Sequence, residues 1–127
     1  MRVFLVRHAH ATPGDPDALR PLNDVGRAAA TELAGRLAGT RLDAVLSSPL
    51  RRARETAEAI ATAAGLEDEL DERLAPGATP ASLREATAGR GETVVAVGHQ
   101  PDCARIVLAL TGRRVAFGPA HAEELTL

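Results

Sequence analysis

A chain of 127 residues with 15 basic and 17 acidic side chains has a formal charge of −2 and lacks the basic surplus that broad nucleic-acid binding favours. It is long enough to bury the core of a single domain, residues 1–127, and that core must be Leu, Val and Ala, because Trp and Tyr are absent. One cysteine, Cys103, excludes an internal disulfide, and no apolar stretch is long enough for a signal-peptide core or a bilayer span. A soluble, cytoplasmic protein with no membrane contact is expected.

The predicted elements alternate between strand and helix. Val3–Val6 is a short apolar run with the character of a buried strand, and Arg7 and His8 follow it directly. Asn23 and Asp24 are helix-capping types. Val25, Ala29, Leu33 and Leu37 then recur as one helical face, which Gly39 ends. Leu42–Leu46 is the second strand. Ser48-Pro49 opens a helix with the inner stripe Ala53, Ala57, Ile60 and Ala64, closed by Gly65. A weak extended piece lies near Glu69–Glu72, and Thr79-Pro80 opens a short helix ending near Gly89. Thr93–Val97 is the clearest strand. Pro101 starts a helix that faces Cys103, Ile106, Val107 and Leu110 inward and ends at Gly112. Val115–Phe117 and Glu123–Leu127 read as two last short strands. This order predicts an α/β three-layer sandwich, a mostly parallel central sheet with helices on both faces.

Such sheets build their sites at the carboxyl ends of the strands, and two histidines fall there: His8 after the first strand and His99 after Thr93–Val97. Arg7 flanks the first. Arg52 sits in the first turn of a helix, whose amino end adds free N–H groups and a positive dipole. Arg20 lies in the loop before the first helix. Planar guanidiniums suit a phosphoryl group because each bonds two of its oxygens and keeps its charge. The histidine pair points beyond binding to catalysis. A neutral imidazole can attack phosphorus while the second ring and the arginines stabilise the transition-state oxygens. Arginines nearby should lower the attacking histidine's pKa below its reference of about 6.5, and activity should fall as pH drops through that value. The scheme uses no metal or other cofactor, and the His and Cys spacings form no zinc set.

Arg7-His8-Ala9, the segment Leu46-Ser47-Ser48-Pro49-Leu50-Arg51-Arg52-Ala53-Arg54-Glu55-Thr56-Ala57, and Gly98-His99 resemble the histidine phosphatase (phosphoglycerate-mutase-like) superfamily, in the right order over nearly the whole chain. Ala9 stands where that family most often has glycine. The alanine, the run Arg20-Pro21-Leu22-Asn23 with Gly26, and the compact length are similar to the small SixA-type phosphohistidine phosphatase branch. The resemblance implies that His8 accepts the phosphoryl group, that Arg7 and Arg52 bind it, that His99 is the second histidine facing it, and that Arg20 is a further ligand. A phosphorylated protein or a small phosphate is then the partner; oligomeric state is left open.

One departure bears on the substrate. Many members carry a proton-donating glutamate soon after an Arg-Leu pair, but here Arg73-Leu74 is followed by Ala75 and Pro76. A general acid contributes ~10²–10⁴ in rate, most for a poor leaving group such as an alkoxide. The gap favours phosphohistidine, whose imidazole leaves more easily. Asp15, Asp17 and His10 are the loop groups that could give a proton; the plainer reading makes Asp15 and Asp17 solvated turn residues. A small-molecule phosphomonoesterase and a non-catalytic phosphate-binding module are the alternatives. Ser47 and Ser48 read as strand end and helix cap, His121 as surface, and Cys103 as a core side chain.

Overall fold

A computed structural model describes all 127 residues. Strands β1 (Arg2–Arg7), β2 (Ala44–Ser47), β3 (Asp68–Leu70), β4 (Thr93–Gly98) and β5 (Ala122–Thr126) form one sheet in the order β3-β2-β4-β1-β5. All neighbours are parallel except β5, which runs antiparallel along β1. Helices α1 (Asp24–Leu37), α2 (Arg51–Ala64), α3 (Pro80–Thr87) and α4 (Asp102–Thr111) cover the two faces.

The central strand shows why the layers form. Every residue of β4 is buried, and its side chains alternate between two cores. Val95 and Val97 pack with Val6 and Val45 beneath α1 and α2, whose contribution is largely alanine: Ala30, Ala34, Ala53, Ala57 and Ala61. Val94 and Ala96 pack with Leu5 and Leu46 against Leu83 of α3 and Ile106 and Val107 of α4. A core without Trp or Tyr therefore closes by bringing small helix faces close to the sheet. The expected three-layer α/β architecture is the one observed. No helix is long and apolar enough to cross a membrane.

Some elements differ from the sequence reading. Val25 is exposed; Leu33 and Leu37 face inward as expected, joined by Gly26, Ala30 and Ala34, while Ala29 is only partly buried. The inward place of Gly26 follows from a close approach: a Cβ at Gly26 would lie 2.0 Å from the His10 carbonyl oxygen, so the glycine lets α1 pack on the loop that leaves β1. Helix α2 starts at Arg51, with Leu50 as its cap residue, so Pro49 precedes the helix rather than opening it. Pro101 is likewise the cap residue of α4. Val115–Phe117 is not a strand. This segment packs as a loop with Phe117 buried against the α3–α4 side. The third strand is Asp68–Leu70, slightly earlier than the extended piece expected near Glu69–Glu72.

Candidate active site

Register brings the two histidines together. Arg7 of β1 pairs with Gly98 of β4, so the next residue of each strand is a histidine leaving the same sheet edge. The His8 N–H donates to the Gly98 carbonyl at 3.1 Å, and the Ser48 N–H donates to the Val97 carbonyl at 3.0 Å, lacing three strand ends into one rim. The imidazole centroids of His8 and His99 are 5.2 Å apart, with the rings inclined at 57°.

Backbone bonds fix how His8 is presented. Its Nδ1 lies 2.7 Å from the Ala9 carbonyl, which only accepts, so Nδ1 carries the proton and Nε2 keeps its lone pair. Ala9 is held in turn: its N–H donates to Thr56 Oγ1 at 3.1 Å, and that hydroxyl donates to the Arg52 carbonyl at 2.8 Å. Ala9 is fully buried in the α1–α2 core and is not among the positive-φ residues, so its methyl group sits where the related family usually has glycine without backbone strain.

The arginines converge from three segments. Arg7 donates through Nη1 to the Phe117 carbonyl at 2.9 Å, while its buried Nε has no partner. The loop carrying Phe117 is clamped to the rim, since the Ala120 N–H reaches the carbonyls of Arg7 (3.0 Å) and His8 (3.2 Å). Ala120 holds φ +60, a left-handed conformation that costs a non-glycine residue about 1–2 kcal/mol and is tolerated where surroundings enforce it. Arg52, buried at the start of α2, donates to the Asp17 carbonyl at 3.0 Å and to Asp17 Oδ2 at 3.1 Å. Arg20 donates to Asp17 Oδ1 at 2.9 Å and to the Thr12 carbonyl at 2.7 Å. One carboxylate thus spans two guanidiniums, each bonded to one of its oxygens.

That arrangement corrects the expectation that Asp17 could supply a proton. Hydrogen bonds from Arg20 and then Arg52 hold its carboxyl below the ordinary range, so it is ionised and acts as an acceptor. Nor is it merely a solvated turn residue. Asp15 and His10 are exposed and make no side-chain hydrogen bond. Arg73 is paired with Asp71, and Leu74 is buried in the core.

Both imidazoles are pushed down to about 4. For His8 the largest cause is desolvation, opposed by the Ala9 hydrogen bond and reinforced by Arg52, Arg7 and Arg20. For His99 desolvation again leads, followed by His8 and Arg52. Burial, rather than the arginines alone, therefore keeps both rings neutral, and the lowering is larger than the sequence implied. His99 is buried, and its Nε2 is 2.7 Å from Ser48 Oγ.

Three contributors escaped the sequence reading. Ser48 engages His99 as well as the start of α2, Thr56 braces Ala9, and the Phe117 carbonyl aims Arg7. Ser48 and Thr56 fall inside the quoted motif segment, which was their only signal; a backbone carbonyl leaves none. His121 lies to one side, with Nε2 2.8 Å from Glu123, and only its main chain meets Arg7. Cys103 is buried, and burial pushes its thiol up to about 12, so it is the inert core residue expected.

With this geometry in place, comparisons with known proteins are specific. The model of the histidine phosphatase superfamily (branch 1) matches residues 3–76. The structure of the protein histidine phosphatase SixA complexed with tungstate superposes with a TM-score of 0.88 at 28% identity, covering 100% of this chain and 88% of that one. A putative phosphohistidine phosphatase SixA from Agrobacterium tumefaciens follows with a TM-score of 0.82 and 28% identity, over 97% and 88% of the two chains. An uncharacterized protein of Picosynechococcus sp. is 35% identical over 132 residues, 93% of this chain and 74% of that protein.

Two outcomes follow from the electrostatics. Because His8 and His99 titrate near 4 in the folded chain against about 6.5 unfolded, the unfolded state binds more protons between those values, so stability falls as pH drops through that window. Thermal unfolding should show Tm decreasing by about 5 °C or more from pH 7 to pH 4.5, with a visibly smaller decrease in a His8→Asn, His99→Asn double variant; equal slopes would contradict the burial account. Asp17→Asn removes an anion that competes for Arg52 and Arg20, so inorganic phosphate should inhibit that variant roughly 3-fold or more tightly. Unchanged or weaker inhibition would show that the carboxylate organises the guanidiniums rather than competing for them.

Proposed function

Because the chain belongs to the histidine phosphatase superfamily and is a phosphatase of its SixA-type branch, we propose that it hydrolyses phosphohistidine displayed on a protein, without a metal, through a phosphoryl group carried on His8. The observation that carries this reading is the His8 Nδ1–H bond to the Ala9 carbonyl. It leaves a neutral ring with its Nε2 lone pair free, beside a second imidazole and among three guanidiniums.

His8 Nε2 attacks phosphorus opposite the leaving nitrogen, forming one P–N bond as the substrate's breaks. Arg7, Arg52 and Arg20 offer N–H donors to the phosphoryl oxygens, and these fixed cations stabilise charge without a bound metal. Asp17 gives up its bonds to Arg52 and Arg20 as the dianion enters. A phosphorylated imidazole whose other ring nitrogen is protonated departs as neutral imidazole and needs no carboxylic acid. This fits a rim where Asp17 is ionised and Arg73-Leu74 is followed by Ala75 and Pro76. Water then attacks the phosphorus of phospho-His8. Phosphate leaves with the hydroxyl oxygen, and the remaining proton stays with the phosphate, which returns His8 to its neutral form.

The pH behaviour follows. With His8 near 4, the acid limb of kcat/KM set by the nucleophile falls near pH 4, and any limb near pH 6 belongs to the substrate phosphate, whose second pKa is about 6.

The test is a panel of a histidine-phosphorylated protein, phosphoserine and sugar phosphates, each with and without EDTA. The phosphohistidine protein should be hydrolysed with kcat/KM ~10²-fold or more above the esters, EDTA should have no effect, and His8→Asn should lose ~10³-fold or more. Fast turnover of the esters with phosphohistidine ignored, or turnover without His8, would overturn the proposal.

A further inference from the structure

In the whole chain, two buried side-chain polar atoms lack a hydrogen-bond partner, and both belong to the rim: Arg7 Nε and His99 Nδ1. Buried donors are nearly always satisfied, so two orphans on residues of one cationic rim mark where an absent ligand supplies acceptors. Arg7 Nε is always a donor. For His99 Nδ1 the answer depends on which nitrogen carries the proton, and that is decided at the other end of the ring.

The partner of His99 Nε2 is Ser48 Oγ at 2.7 Å, both groups being buried. A hydroxyl either gives or takes, so the bond alone is ambiguous. The surroundings of Ser48 resolve it. Its Oγ already accepts the Leu50 N–H at 3.2 Å, at the start of α2, and its own proton has one acceptor in reach, His99 Nε2. If His99 donated instead, the hydroxyl would receive two N–H groups and bury its own proton unpaired, and His99 would turn a lone pair toward an incoming phosphoryl oxygen. Donation from Ser48 satisfies every group on that side and leaves Nδ1–H as the orphan. His99 is neutral in the free protein, so one tautomer must be chosen.

We propose that Ser48 is a positioning residue that sets His99 in the Nδ1–H tautomer and so makes it a hydrogen-bond donor to a phosphoryl oxygen. This deepens the reading of His8 as phosphoryl acceptor and rests on it. The two rings then share one tautomer and present opposite atoms. On His8 the Ala9 carbonyl occupies Nδ1 and frees the Nε2 lone pair for attack; on His99 the Ser48 hydroxyl occupies Nε2 and frees the Nδ1 proton for binding. A carbonyl just beyond β1 and a hydroxyl just beyond β2, on either side of β4, divide the work between two like side chains. Arg7 Nε supplies the second orphaned donor toward the same ligand.

The test reads tautomers directly. Long-range ¹H–¹⁵N NMR of the ligand-free full chain should show a protonated Nδ1 and an unprotonated Nε2 for both His8 and His99. In Ser48→Ala, His99 should lose that single assignment while His8 keeps it. The inhibition constant of inorganic phosphate should weaken ~10-fold or more, the scale of one lost hydrogen bond to a charged group. Ser48→Thr, which keeps the hydroxyl, should recover the wild-type His99 tautomer and most of the phosphate affinity. A proton on His99 Nε2 in the wild-type chain would overturn the inference by itself, whatever the variants do. An unaltered His99 tautomer in Ser48→Ala would overturn it equally. Neither the NMR nor the phosphate titration uses a phosphorylated substrate, so a panel that finds another substrate class leaves this inference standing, turnover without His8 would remove the reading it rests on, and its own failure leaves the substrate question untouched.

Discussion

The parallel pairing of β1 with β4 is the constraint from which the site follows. Arg2 pairs with Thr93 and each successive residue keeps step up to Arg7 with Gly98, so His8 and His99 must leave the sheet at the same height on adjacent strands. Slipping this register would shift one ring along the sheet and present the wrong faces of both strands to the two cores. Val3, Leu5, Val94 and Ala96 face one core and Val6, Val95 and Val97 the other, and all seven are buried, so burial itself enforces the register. The hydrophobic pattern of two short strands therefore sets the distance between two catalytic-type rings nearly a hundred residues apart in sequence.

Concentrating positive charge at one rim is unfavourable unless something offsets it. The chain does so in two ways. Desolvation keeps both imidazoles uncharged, removing two potential cations from the cluster. Asp17 places a carboxylate across Arg52 and Arg20, giving these guanidiniums an acceptor when no phosphate is present. Arg7 is anchored differently, by a carbonyl of the loop that the strained Ala120 holds against β1. The free protein thus suits a dianion: its cations are aimed, its His8 ring is neutral, and the anion that occupies two of the guanidiniums is a side chain on an exposed turn. In the proposed function, a phosphoryl group replaces that carboxylate and meets the two donors that the fold leaves unpaired.

Much of this was legible in the sequence, for physical reasons. Strands β1 and β4 are short unbroken runs of β-branched and apolar residues, a signal that buried parallel strands share with few other elements, and the residues directly after them carried the chemistry. Arg52 stood out because it falls in the first turn of a helix, within the motif segment, and the structure places it there, buried at the start of α2. What the sequence hid was tertiary. The first turns of α1 were misread, with Val25 in place of Gly26 and Ala29 in place of Ala30, because Gly26, with no side chain to count as apolar, is the position that must face inward; Leu33 and Leu37 were read correctly. Val115–Phe117 has strand composition, but Phe117 is buried in the core and its carbonyl accepts from Arg7, contacts that only the fold supplies. Asp17 looked like a turn residue or a proton donor because its two partners lie 3 and 35 positions away, one of them on another element. Ser48 was read as a cap, which it partly is through Leu50; its second bond, to His99 51 residues on, could come only from the fold.

A crystal structure of the full chain with orthovanadate tests the central claim most directly, because vanadate takes up the geometry of a phosphoryl group in transfer. The account predicts vanadium bonded to His8 Nε2, its oxygens held by Arg7, Arg52 and His99, and Asp17 released from Arg52. Vanadate seated away from His8, or bound with the Asp17–Arg52 pair intact and the two imidazoles turned from it, would contradict the convergence of these side chains on one anion.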